Sequence, residues 1–344
     1  MKPKTTKPIT AISVVIPTYN AAAWLPKTIP KVEIALRQAN IKSAEILVID
    51  DGSTDDSGAV AAALKTDYPL RVIRQANSGR FLARKLGTNE ARYDHILFID
   101  TRIYIAPGGL NFIVKQAQKT PDRKVWTSHV YLDKAANLYA RFWDALTSVA
   151  WRKYFSNPRD YSYGIAEFDY YPKGTTCFFV PKAIIKDAND WFEANTKNLK
   201  TSNDDTLLIR RIAEKNNINI NPQFSCTYHA RSSLKQYAKH VFHRGKVFVD
   251  GFLRRDGNRF FWPLVVFLAL SLAVPVALIL MPQFILPLVV AGVGLWALEL
   301  PVCRWLGVSW RDAWSLVILS PVFVLFYGVG IWTAVVKIYI LRAP

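Results

Sequence analysis

The sequence predicts an α/β domain built on a Rossmann-like, mostly parallel sheet with flanking helices, followed by a C-terminal region of apolar helices suited to a membrane. Three observations predict it. Short β-rich apolar runs alternate with helical stretches through the first hundred residues, which implies right-handed crossovers between parallel strands. Each run stops on polar or acidic residues, and in such sheets these gather in the crevice at the carboxyl edge, where ligands bind. From residue 260 onward charge nearly disappears, and residues 260–281 carry none.

The first strand is expected at 12–16, closed by Pro17, and a helix within 21–38 sets Leu25, Ile29, Val32 and Leu36 near one face. A second strand at 45–49 runs into Asp50-Asp51-Gly52-Ser53-Thr54-Asp55, a turn-rich cluster that opens an alanine-rich helix over 57–65. A third strand at 70–73, a third helix at 78–91 and a fourth strand at 96–99 follow. Beyond them we expect a helix at 110–118, a strand at 125–131 and an aromatic-rich helix at 138–154. A strand at 175–180, a helix at 204–215 and a last strand at 223–228 complete the domain.

Residues 231–259 hold eight Lys or Arg against two Asp, with Phe242, Val247, Phe248 and Phe252 between them. That mixture suits a helix lying among lipid headgroups; the other reading is a surface helix leading to a membrane span. Three apolar segments come next, 260–281, 284–303 and 313–336, near the ~20 residues a bilayer crossing needs. Only a tight turn fits between the first two. Arg254, Arg255 and Arg259 therefore share a side with Arg304 and Arg311, and the positive-inside rule makes that side cytoplasmic. A third full crossing would carry Lys337 and Arg342 to the other side, so a segment broken or re-entrant at Pro321, Gly328 and Gly330 is the alternative. The expected domains are a cytoplasmic one over 1–230, a basic interfacial segment over 231–259 and a transmembrane region over 260–344. The expected location is the cell (inner or plasma) membrane, multi-pass.

A net charge of +18 on 344 residues draws the chain toward anionic partners. Beside membrane segments it favours lipids and phosphorylated substrates over nucleic acid. Cys177, Cys226 and Cys303 are odd in number, far apart and without metal-ligand spacing, which argues against a disulfide framework and a zinc site. No signal peptide is read at the basic N-terminus.

The strand ends carry specific wording: Ser13-Val14-Val15-Ile16-Pro17-Thr18-Tyr19-Asn20, Val48-Ile49-Asp50-Asp51-Gly52-Ser53-Thr54-Asp55, Asn77-Ser78-Gly79 with Ala83-Arg84 and Gly87, and Phe98-Ile99-Asp100. In this order and at these separations, over residues 12–229, they resemble family-2 glycosyltransferases. The resemblance implies a GT-A fold that holds a nucleotide diphosphate sugar across the carboxyl edge of the sheet and transfers the sugar with inversion. It implies that Pro17, Thr18 and Tyr19 line the nucleotide, and that Asp50 and Asp51 face base or ribose, where a carboxylate is a good acceptor. A plain helix-capping turn is the structural alternative for Asp50 to Asp55. Asn77, Gly79 and Asp100 join the donor site, and Arg84 would reach phosphate oxygens with its planar fork. Arg80 and Lys85 are weaker candidates of that kind, and a solvated helix face is the alternative for Arg84.

Asn203-Asp204-Asp205-Thr206-Leu207 with Arg210 and Arg211 looks like the family's Glu-Asp-x-x-Leu-x-x-Arg signature, Asp204 standing in place of Glu. The resemblance makes Asp205 the general base and Asp204 its neighbour in catalysis. Acids in a helix's first turn are also stabilised by its dipole without any catalysis. Gln236-Tyr237-Ala238-Lys239-His240 keeps the glutamine and a cation of the processive synthases' Gln-x-x-Arg-Trp but lacks the tryptophan, which speaks against polymer synthesis. Gln236, Lys239, His240 and Arg244 are expected on the acceptor and membrane side.

One position departs from the family. Where Asp-x-Asp usually ends the fourth strand and holds Mg or Mn, this chain has Asp100-Thr101-Arg102. A guanidinium can neutralise a departing diphosphate as a metal does. Arg102 either takes over part of the metal's work or points away, leaving a metal to Asp100 and the phosphates. The expected function is transfer from a nucleotide diphosphate sugar to a hydroxyl of a lipid-linked saccharide or glycolipid at the cytoplasmic face. A polyprenyl-phosphate glycosyltransferase is the alternative, and a catalytically silent, membrane-bound nucleotide-sugar-binding protein is an alternative of another class.

Overall fold

Strand residues with both faces buried must be apolar throughout, and 12–16, 46–49 and 96–99 are buried almost without interruption. The computed structural model describes residues 8–133, 137–196, 198–200, 202, 204–230, 232–253 and 258–341. Asn203 of the acidic motif, and Arg254, Arg255 and Arg342 of the charge argument, lie outside them.

The chain opens with β1 (Ala11–Thr18), α1 (Leu25–Gln38), β2 (Ser43–Asp50), α2 (Ser57–Ala63), β3 (Leu70–Arg74), α3 (Arg80–Glu90) and β4 (His95–Ile99). Then come β5 (Ile103–Ile105), α4 (Gly109–Lys119), β6 (Val125–Thr127), β7 (His129–Leu132), α5 (Leu138–Ala150), α6 (Arg152–Phe155), β8 (Tyr161–Tyr163) and β9 (Cys177–Pro181). The remainder is α7 (Lys182–Asn195), α8 (Asp204–Ala213), β10 (Ile218–Ile220), β11 (Ser225–Tyr228), α9 (Leu234–Phe252), α10 (Phe261–Leu280), α11 (Ile285–Trp305) and α12 (Trp310–Val335).

Two compact units result: Met1–Asp133 with Asn157–His229, and Lys134–Ser156 with Ala230–Pro344. A contiguous domain over 1–230 was expected; the segment 134–156, which contains α5 and α6, instead belongs with the C-terminal helices.

In the first unit an eight-stranded sheet runs β3-β2-β1-β4-β9-β6-β10-β8. The four early strands are mutually parallel, as alternation with helices predicts, whereas β9 is antiparallel to both β4 and β6. A smaller sheet, β5-β11-β7, stands beside it. The strand expected at 125–131 is in fact two. β6 pairs in the large sheet and β7 in the small one, with Ser128 alone between them, its N–H donating to Cys177 O at 3.1 Å. The helix expected at 138–154 likewise breaks at Trp151 into α5 and α6. α7 was not anticipated, although Ile185, Ala188 and Phe192 are buried at helical spacing.

In the second unit, α10, α11 and a stretch led by α12 are long and apolar enough to cross a membrane. α12 is continuous through Pro321, Gly328 and Gly330 and ends in a π turn at Val336–Ile340, so the break considered at those residues is absent. Pro321 cannot donate to Val317 O. That carbonyl accepts instead from Trp296 Nε1 at 2.9 Å and from Ser320 Oγ at 3.2 Å, which keeps the helix whole.

Candidate active site

The register sets Thr18 at the end of β1 opposite Asp50 at the end of β2. Asn20, at φ 49°, ties the two following loops together. Its Oδ1 accepts Thr54 N–H at 2.8 Å, and its own N–H donates to Ser53 Oγ at 3.0 Å. Asparagine is among the few residues that accept this left-handed backbone.

Asp50 and Asp51, expected at base or ribose, both hold loops at this edge of the sheet. Asp50 is buried, and its Oδ1 accepts Ser53 N–H at 2.9 Å within the turn that leads to α2. Asp51 accepts from Gln75 Nε2 at 2.7 Å, Ser78 N–H at 2.8 Å and Gly79 N–H at 2.9 Å, which closes the loop before α3. Gly79 has φ 94°, and a Cβ there would come within 2.6 Å of Lys200 O, so no other residue fits. Pro17 and Thr18 lie inside the sheet edge, while Tyr19, 51% exposed, and Asn77 stand at the surface of the crevice.

Arg84 departs furthest from expectation. It neither reaches toward solvent nor lies on a wet helix face: its side chain is 6% exposed and bridges three carboxylates. Nη2 donates to Asp100 Oδ1 at 2.9 Å, and Nη1 donates to Asp204 Oδ2 at 2.9 Å and Asp205 Oδ1 at 3.1 Å. Arg80 Nε adds a bond to Asp204 Oδ1 at 2.6 Å. Burial works against the charge of Arg84, yet the three carboxylates outweigh it and hold the guanidinium firmly protonated. Burial likewise pushes the Asp204 carboxyl up, with Arg80 and Arg84 pulling it back.

The acidic pair at the start of α8 is therefore split by environment. Asp204 is 1% exposed and enclosed by two guanidinium groups, whereas Asp205 is 23% exposed and also accepts from Thr175 Oγ1. Sequence reasoning missed Thr175, which precedes β9 with no motif to mark it.

Asp100, 36% exposed, follows β4 and donates its N–H to Thr176 O at 2.8 Å. Arg102 sits two residues on, its guanidinium 4.6 Å from the ring centre of Trp24 at the start of α1. Its carbonyl accepts His229 N–H at 3.0 Å, and His229 in turn packs on Tyr104 and pairs with Asp133 at 2.8 Å. Trp24 is a second residue that the motifs did not mark. In the second unit, Gln236, Lys239 and Arg244 are exposed on α9, while the rings of His240 and Trp143 lie 5.0 Å apart.

A mostly parallel sheet with its polar residues collected at one edge, an acidic pair at a helix start and a buried arginine between them fit a fold of the GT-A type. Residues 13–186 match the model described as glycosyl transferase family 2, and the chain belongs to that family. It is 36% identical over 114 residues to undecaprenyl-phosphate 4-deoxy-4-formamido-L-arabinose transferase of Pseudomonas fluorescens, covering 32% of this chain and 33% of that protein. It is 31% identical over 131 residues to glycosyltransferase GlyG of Streptococcus pneumoniae, covering 37% and 42%. The chain thus spans less than half the length of these relatives. Its fold is like that of S. aureus TarS 1-349, with TM-score 0.50 and 16% identity over 72% of this chain and 67% of that one.

Proposed function

We propose that this chain is a membrane-associated inverting glycosyltransferase that uses a nucleotide diphosphate sugar and glycosylates a hydroxyl of a lipid-linked saccharide or glycolipid at the cytoplasmic face. The observation that carries this reading is the unequal burial of the acidic pair: only Asp205 is open to an incoming hydroxyl. A base must come within hydrogen-bond range of the proton it removes. In the proposed step Asp205 takes the hydroxyl proton as the acceptor oxygen forms its bond to the anomeric carbon. The bond from that carbon to the diphosphate oxygen breaks on the opposite face, and the nucleotide diphosphate leaves. Arg84 and Thr175 fix the orientation of Asp205.

The donor set bears on the metal that the family implies. Asp100 offers one partly exposed carboxylate whose Oδ1 already accepts from Arg84, and the next acid position is Arg102. Among the described residues no group of three or more His, Cys, Asp or Glu is placed to hold an ion. Asp100 would hold a divalent ion only together with the phosphates, and Arg102, steadied against Trp24, is the cation we assign to the leaving diphosphate.

A second reading has one observation in its favour: the Pseudomonas relative is named for undecaprenyl phosphate, an acceptor whose oxygen is already ionised and needs no base. Membranes supplied with labelled nucleotide sugars and either acceptor separate the two. A mild-acid-labile product would establish the polyprenyl phosphate route. On the proposed reading Asp205→Asn lowers turnover by about 10²–10⁴-fold with donor binding kept. Activity abolished by EDTA and restored by Mn²⁺ would overturn the role given to Arg102.

A further inference from the structure

We propose that α12, although long and apolar enough to cross a bilayer, lies along its surface, and that the second unit enters the membrane only as the α10–α11 hairpin. Four features of that unit carry this.

The first is the company α12 keeps. α9 runs beside it with backbones nearly touching: a Cβ on Gly245 would come within 2.2 Å of Tyr327 O, and one on Gly330 within 2.3 Å of Phe242 O. Further along, Val249 packs with Ile331 and Ala334, and at the other end Tyr237 and Phe323 flank the ring of Phe142. Lys239, His240, His243, Arg244 and Lys246 therefore travel beside the central and later turns of α12. Were α12 a crossing helix, these residues would be carried to mid-bilayer depth, where charged side chains are strongly disfavoured.

The second is that α12 is two-faced. Ala313, Leu316, Leu319, Ile331 and Ala334 are buried, while Trp314, Ile318, Leu325 and Val329 are exposed. At ~100° per residue the two stripes are centred on opposite sides of the helix. A third of the most apolar window of α12 is buried, against 6% for α10 and none for α11. The unit is thus graded from exposed Lys235, Lys239 and Arg244 on α9, through the packed stripes, to a bare apolar face on α12. A membrane surface has that same gradient.

The third is the way the hairpin meets α12. From the middle of α11, Trp296 bonds Val317 O at 2.9 Å and Glu299 accepts from Ser320 at 2.7 Å. Both numbers rise together, whereas antiparallel neighbours would have one fall as the other rises. Midway along α10, Ser271 accepts from Trp332 Nε1 at 3.0 Å. From Val317 to Trp332 is about 22 Å of helix at 1.5 Å per residue. α12 therefore bridges the two legs of a hairpin whose near ends meet at Pro282–Phe284, and it also packs on Leu264 of one leg and Cys303 of the other.

The fourth is charge. With α12 in the plane, Arg259, Arg304, Arg311 and Lys337 all stay on one side, as the positive-inside rule requires.

The inference rests on the membrane association proposed above, and the experiment keeps the two apart. Single cysteines at Gln283, Trp305 and Tyr339 go into the full chain with Cys177, Cys226 and Cys303 replaced, and intact cells receive a membrane-impermeant maleimide. Residues 305 and 339 should label alike and opposite to 283. Residue 339 labelling with 283 would overturn the placement of α12, and release of the chain by alkaline carbonate would overturn the membrane reading itself. Because cysteine variants can fold poorly, spin labels at Ile318, Leu325 and Val329 supply a second readout in reconstituted vesicles. An in-plane helix holds all three at one depth; a crossing helix separates 318 from 329 by about 16 Å.

Discussion

The two units bring their closest-packed parts together in different ways. Around Arg84 the first unit draws a guanidinium and three carboxylates together at its edge, each group answering another. Between α9 and α12 the second unit brings together glycine backbone with mainly apolar and aromatic side chains, and leaves Lys235, Lys239 and Arg244 of α9 exposed. The difference follows from what compensates burial. A buried ion is tolerable when partners and hydrogen bonds surround it. A helix pair facing lipid has no such partners to offer, so close approach has to come from small residues.

Three changes would break or sharpen that contrast. The largest effect is expected from Arg84→Met, which leaves buried Asp204 with Arg80 alone and takes a partner from Asp100 and Asp205. Thermal or denaturant unfolding should show a loss of about 3–5 kcal/mol, the usual cost of removing one partner from a buried ionic group. In the second unit Gly245→Leu forces α9 away from α12. A loss of about 1–3 kcal/mol in detergent is expected, in the range of overpacking, with the first unit's donor binding unchanged.

The smallest effect concerns His129, whose imidazole burial pushes down to about 4. Its folded pKa lies below the unfolded ~6.5, so the stability it contributes is present above pH 6.5 and lost as pH falls toward 4. The slope from this one site approaches ~1.4 kcal/mol per pH unit. His129→Gln should flatten the acid limb of a stability–pH curve by that amount, leaving the neutral plateau to report packing alone.

Much of this contrast was legible in the sequence, and the exceptions have physical reasons. The alternation through residue 99 and the loss of charge after 259 are periodic or compositional signals, and both reappear as the parallel half-sheet and the apolar helices. The residues that meet at the site were legible as types but not as partners. Arg84 and Asp204 are 120 positions apart, and no local pattern says that a guanidinium on α3 will be buried under α8. Asp50 reads two ways because one motif serves both a ligand and a turn, and its Oδ1 accepts the turn's Ser53 N–H. The split at Ser128 was hidden because residues 125–131 read as one β-rich run whichever sheet receives them.

That split has a mechanical meaning. Two sheets joined by a single residue behave like plates fixed by a rivet, and Ser128 is held on both sides, by Cys177 O at 3.1 Å and Cys226 Sγ at 3.3 Å from its Oγ. Shear between the plates would have to tear those bonds. β5 in the small sheet begins one residue after Arg102, and β11 ends one residue before the His229 N–H that grips its carbonyl, so Arg102 is tied to that sheet through two of its strands.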